Sequence, residues 1–134
     1  MDISRRSLGS DVALLSLKGR LDGTSSPAVR DALQKSLEEN FNRIIIDLQH
    51  VPFIDSSGLA ALVSGLRMAR EKKGDIILSA AQPQAQIVFR LTMLDRIFTI
   101  HPTAEEAKHS LRHYTLPSCL LPFSLLMMLS IFAA

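Results

Sequence analysis

The chain has 134 residues, 47% of them hydrophobic, with 15 Lys and Arg against 13 Asp and Glu. That length and apolar content suit one domain with a real core, and six glycines and six prolines exclude a collagen-like or Pro/Gly-rich disordered chain. A formal charge of +2 argues against direct nucleic-acid binding, and the single cysteine, Cys119, excludes an internal disulfide framework and a cysteine zinc site.

In chain order, the N-terminus has no apolar run behind Arg5 and Arg6, so a secretory signal is not expected and a cytoplasmic protein is. Residues 2–8 are expected to form an edge strand, and 12–17 a short buried strand stopped by Gly19. Ser25, Ser26 and Pro27 mark a helix start. Val29, Leu33 and Leu37 then give the helix over about 27–39 one apolar face, with Asn40 as its stop. The β-branched run from Arg43 to Leu48 predicts a strand. A second helix follows Asp55-Ser56-Ser57-Gly58, with Leu59, Leu62, Val63 and Leu66 at i, i+3, i+4 and i+7. Arg70-Glu71-Lys72-Lys73 reads as solvated helix-end charge, and Gly74 as the end of that helix. Residues 75–80 form a further expected strand. Pro83 opens a helix to about 93 with Ile87, Leu91 and Leu94 on one side, and 96–100 form a last strand. Thr103 and Glu106 have capping-box spacing and open a final helix to about His113. This alternation with short connections predicts an α/β layer.

Residues 115–134 differ in character. Fourteen of these 20 are apolar, and no charge follows Arg112. The expected organisation is a domain over 1–113 and an apolar extension over 114–134. Pro117 and Pro122 interrupt the extension, leaving 12 unbroken residues at 123–134, too few to span a bilayer. Packing on the domain or on a second copy, membrane-surface contact, an incidental extension and a true span all remain open readings.

The chemical inventory is short. His109 and His113 have a metal-ligand spacing, but no Glu or Cys accompanies them in a metalloprotease pattern, so they read as helix-end residues and no metal is expected. There is no phosphate-binding glycine loop, and Asp55 stands where a nucleophile elbow around Ser57 would need glycine. No cofactor and no enzymatic activity are expected.

Asp55-Ser56-Ser57-Gly58 is the most informative stretch. One polar side chain suffices to cap a helix, yet three stand between Ile54 and Gly58. A serine at a helix N-terminus can accept a phosphate, because the amide N–H groups and the dipole favour the added charge there.

At residues 2–112 the sequence resembles the STAS domain family, specifically the bacterial anti-sigma factor antagonists. Gly19-Arg20-Leu21-Asp22 resembles the family's turn after the second strand. Ile44-Ile45-Ile46-Asp47-Leu48 followed by Phe53-Ile54-Asp55-Ser56-Ser57-Gly58-Leu59 resembles its phosphorylation segment. The resemblance implies a four- to five-stranded mixed sheet with about four helices mainly on one side. It also implies capture of an anti-sigma factor that is a serine kinase, release on serine phosphorylation, and restoration by a phosphatase. It makes Ser56 the phosphoacceptor, with Ser57 as second choice, and gives Asp55 the role of fixing the loop or orienting the hydroxyl. The expected partner surface comprises Asp22, Gly23, Thr24, Ser25, Asp55, Ser56 and Ser57, with Ser64, Arg67 and Met68 on the outer side of the helix. Gly23-Thr24-Ser25-Ser26 departs from the bulkier polar residues usual there. The other reading is a STAS module in a membrane-associated transport or sensing assembly, with Ser56 only a cap.

Overall fold

The computed structural model describes residues 1–115, with side chains to Ser110. The expectations for the apolar extension, including its packing, self-association or membrane contact, fall outside the described residues, which include only 114 and 115 of it.

The elements follow one another as β1 (Asp2–Ser7), β2 (Val12–Lys18), α1 (Ser26–Glu38), β3 (Arg43–His50), α2 (Ser56–Glu71), β4 (Asp75–Ser79), α3 (Pro83–Leu91), a 3-10 turn at Leu94–Arg96, β5 (Thr99–His101) and α4 (Ala104–Thr115). The sheet order is the chain order, with β1 antiparallel to β2 and the other neighbours parallel. Leu15, Leu17, Ile44, Ile46, Leu48, Ile76 and Leu78 face one side, where Val29, Leu33 and Leu37 of α1, Leu59, Leu62 and Leu66 of α2, and Phe89 of α3 meet them. On the other side, Ile45 and Ile77 pack against Ala107 of α4. Covering on both faces explains the unbroken Ile44-Ile45-Ile46 run, since an alternating pattern belongs to strands with one wet face.

The two main helices end alike. After α1, Asn40 takes φ 70°, and the amides of Asn40 and Phe41 donate to the carbonyls of Leu37 and Ser36. After α2, Lys73 takes φ 60°, and the amides of Lys73 and Gly74 donate to Arg70 and Ala69. Gly74 lies in this terminal turn, as its position in sequence suggests, while the left-handed residue is Lys73. Glycine is needed one place later, at 74, where a Cβ would run into the Asn42 carbonyl. The neighbouring charges are more than solvated: Arg70 Nη2 donates to Ile97 O at 3.2 Å and Lys72 Nζ to Leu37 O at 3.1 Å.

Three further expectations are corrected. In α3 the packed residues are Ala85 and Phe89, while Ile87 and Leu91 are exposed. Met93 at φ 60° ends that helix before Leu94 can continue its stripe, and the helix is turned so that the Phe89 ring meets Phe98, centroids 6.3 Å apart. The last strand begins at Thr99 and not at Arg96, because residues 94–96 form the 3-10 turn. At α1, Ser25 occupies the N-cap position but makes no side-chain cap. At α4, the Glu106 amide donates to Thr103 Oγ1 at 3.2 Å, as the capping-box spacing predicts.

Candidate functional site

The segments that follow β2 and β3 lie side by side. Leu21 and Ile54 form a parallel bridge: the Leu21 amide donates to Phe53 O at 2.9 Å and the Asp55 amide to Leu21 O at 3.1 Å. Ile54's own polar groups point the other way and are held by Gln84 of α3. Gln84 Oε1 accepts the Ile54 amide at 3.0 Å, and Gln84 Nε2 donates to the Ile54 carbonyl at 3.1 Å. Both backbone strips are thus pinned before any side chain of the site is considered. Gln84 was not anticipated from the sequence.

Asp55 is the N-cap of α2. Its backbone is extended, and its Oδ1 accepts the Gly58 amide at 3.0 Å. Ser56 is the first helical residue and is exposed; Ser57 is half-buried. The Ser56 and Ser57 amides lie in the first turn, where helix geometry provides no carbonyl partner. Gly58 makes the junction possible. A Cβ there would stand 2.5 Å from Leu21 O and 2.7 Å from Leu21 Cγ. Glycine in Asp-Ser-Ser-Gly is therefore a close-approach residue that lets the helix start against the β2 exit.

Asp22 organises the opposing turn. Its Oδ1 accepts from Thr24 Oγ1 at 2.7 Å, from the Thr24 amide at 3.0 Å and from the Ser25 amide at 3.3 Å. The Thr24 hydroxyl bond, foremost, with the two amides, holds the Asp22 carboxyl below its ordinary 3.8 against a smaller opposing effect of burial. Ser25 is buried; its hydroxyl accepts from the Asp22 amide at 2.9 Å and donates to Arg20 O at 2.7 Å. It braces the turn from inside, so what the turn presents outward is Asp22, Gly23 and Thr24. Gly23 meets the other segment: a Cβ on it would lie 3.7 Å from Ser57 Oγ.

The structure brings Asp22, Gly23, Thr24, Asp55, Ser56 and Ser57 into one surface. Along α2, Ala60 and Arg67 share the exposed side with Ser56, at about 3.6 residues per turn. Ser64 is half-buried on its flank. Arg67 stands ~16 Å down the axis from Ser56, at about 1.5 Å per residue. Met68 lies one helical step further round from Arg67, half-buried, with part of its side chain against the core. Arg20, exposed beside the turn, stacks on Phe53 at 4.5 Å from the ring centroid and sets a cation at the rim.

Asp55 Oδ1 is engaged in capping α2, and the Ser56 hydroxyl beside it is exposed. Among the described residues, no three His, Cys, Asp or Glu side chains converge to hold a metal, and no helix is long and apolar enough to cross a membrane.

Comparison with known proteins places this geometry among relatives. The model of the family described as STAS domain matches residues 8–107. The anti-sigma F factor antagonist of Paenibacillus polymyxa is 26% identical over 101 residues, covering 75% of this chain and 84% of the relative. The crystal structure of an anti-sigma factor antagonist from Mycobacterium paratuberculosis superposes with TM-score 0.70 at 26% identity, over 83% of this chain and 95% of that one. The Bacillus cell fate determinant SpoIIAA in its phosphorylated form shares the fold at TM-score 0.67 and 22% identity, over 82% and 99% of the two chains.

Proposed function

The chain belongs to the STAS domain family, and from that premise we propose that it is an anti-sigma factor antagonist working as a phosphoswitch. Unphosphorylated, it captures an anti-sigma factor that is also a serine kinase. Phosphorylation of Ser56 ends the capture, and a serine phosphatase restores it. The names of the relatives support the antagonist role, and the phosphorylated SpoIIAA shows that a protein of this fold takes a phosphate. The protein acts by binding and carries out no reaction of its own.

One observation carries the assignment to Ser56. The cap belongs to Asp55, so the exposed Ser56 hydroxyl has no part in starting the helix. A phosphate at Ser56 would meet the first-turn amides and the positive end of the helix, which tolerate it locally. It would also add about two negative charges beside the carboxylates of Asp55 and Asp22. The fold survives while the negative charge of the surface rises, and that change is what a bound partner senses.

The test is incubation with the serine-kinase anti-sigma factor and ATP, followed by mass spectrometry. Phosphate is expected on Ser56, Ser56→Ala should bind the kinase without being released, and Ser56→Asp should bind more weakly than the unmodified chain. Full phosphorylation of Ser56→Ala would move the acceptor, with Ser57 the first place to look.

A further inference from the structure

The sheet has two unequal edges. β5 is three residues long and offers a partner strand little, whereas β1 runs for six residues, Asp2–Ser7, without proline. Its residues are exposed except Ile3, and among the described residues no strand lies on its outer side.

The ladder fixes which groups β1 leaves open. The Leu8 amide donates to Val12 O at 2.9 Å, so that pair is hydrogen-bonded. Hydrogen-bonded and non-hydrogen-bonded pairs alternate along an antiparallel ladder. Arg6 with Leu14, Ser4 with Ser16 and Asp2 with Lys18 are therefore hydrogen-bonded as well. The amides and carbonyls of Ile3, Arg5 and Ser7 point outward from the edge.

A basic side chain on an edge strand usually keeps other strands away. Arg5 does not do so here. It faces α1, where its guanidinium pairs with Glu39, donates to Ser36 Oγ at 3.4 Å and lies 5.4 Å from the Phe41 ring centroid. On the other face, beside Leu14, stand Asp2 and Arg6, exposed and of opposite sign. Neither has an ion partner among the described residues.

We propose that β1 pairs antiparallel with β1 of a second copy, about a two-fold axis at Ser4, joining the two five-stranded sheets into one. In this register the open groups of Ile3 meet those of Arg5 in the other copy, and each such pair exchanges both of its backbone hydrogen bonds. Asp2 of each copy falls opposite Arg6 of the other, on one face. These are non-hydrogen-bonded pairs, where side chains approach most closely. The neighbouring registers that keep the hydrogen bonding lose this match. An axis at Ile3 sets Asp2 opposite Ser4, and an axis at Arg5 sets the two Arg5 residues opposite each other.

The axis stands perpendicular to the sheet, so the parallel strands of the two copies run in opposite directions. The two Ser56 surfaces then lie at opposite ends of the joined sheet and take no part in the contact. The dimer presents two such surfaces at once.

The test is sedimentation of the full chain at concentrations up to ~1 mM, with charge reversals at positions 2 and 6. Asp2→Arg and Arg6→Asp should each weaken dimerisation about tenfold, since each turns both attractive pairs into repulsive ones. An equimolar mixture of the two variants should recover the dimer, because every pair in the mixed dimer joins Arg to Asp. In the isotope-enriched parent, solvent exchange of the Ile3 and Arg5 amides should slow as the concentration rises. A parent chain that stays monomeric would overturn the proposal. So would a dimer that both variants retain unchanged, or one in which the Ile3 and Arg5 amides exchange as fast as before, since the contact would then lie elsewhere. Variants that lose the dimer in a mixture that does not recover it would overturn the Asp2–Arg6 pairing on which the register rests.

Discussion

The side-chain amide of Gln84 grips Ile54 by both of its backbone polar groups, at 3.0 Å and 3.1 Å. On its other side Ile54 is flanked by Leu21, so a residue outside any strand is hydrogen-bonded as if it lay between two strands. Asp55 and Ser56 follow directly, and their positions inherit that restraint. Gln84→Ala should leave the amide and carbonyl of buried Ile54 without partners. The expected loss is about 1–3 kcal/mol, read from the urea midpoint at unchanged slope. An unchanged midpoint would show that the clamp is dispensable.

Asp55 and Ser56 should separate cleanly in stability. Asp55→Ala removes the acceptor of the Gly58 amide and should cost about 1 kcal/mol. Ser56→Ala, exposed and outside the cap, should stay within about 0.5 kcal/mol of the parent. Thermal unfolding of the two variants beside the parent decides it; equal losses would mean that Ser56 has a share in the cap.

Gly58→Ala would force a methyl group against Leu21 O and Leu21 Cγ. The carbonyl in the way is the one that accepts the Asp55 amide, so the change pries the two segments apart at their join. We expect a loss of about 1–3 kcal/mol, with the amide signals of Leu21, Gly23 and Asp55 displaced most. Shifts confined to α2 would argue against this reading.

The Asp22 turn should respond to acid. Its carboxyl is held below the ordinary 3.8 in the folded chain, chiefly by the Thr24 hydroxyl. The folded state therefore binds that proton less readily than the unfolded state does. The turn's contribution is complete above 3.8 and is lost as the pH falls below it, through the lowered folded value. Thr24→Val removes the leading donor and should bring the Asp22 titration, followed by carboxyl carbon NMR, back toward 3.8. An identical titration in both proteins would assign the shift to the amides alone.

Much of this structure is legible in local sequence. The runs at β2, β3 and β4 and the four-residue spacings of α1 and α2 announce themselves, because burying one face of an element leaves a period. Asp55 reads as a cap because an acceptor before a helical stripe has few other uses. What resists reading depends on distant chain. Gln84 sits thirty residues from the backbone it holds, and nothing in Pro-Gln-Ala-Gln marks one glutamine for that work. In α3 the pair Ile87 and Leu91 fits a helical period as well as Ala85 and Phe89 do, and only the fit of the Phe89 ring beside Phe98 selects the second. Ser25 has the spacing of a cap, but the turn at Asp22 claims its hydroxyl first. Met68 was expected outward by the same periodic logic as Arg67; it is half-buried, because the core reaches one helical step further round than the stripe suggested.

The bridge between Leu21 and Ile54 also bears on imitation of the switch. A synthetic peptide copying residues 51–62 would contain Asp55, Ser56 and Ser57, yet it would lack Leu21, Gly23 and Gln84, which set them in place. An isolated helix that short is marginal in water, so the peptide would offer a mixture of shapes where the domain offers one. Decoys and blocking antibodies aimed at this surface must therefore be raised on the intact fold, since the epitope exists only where two distant stretches of chain have been joined.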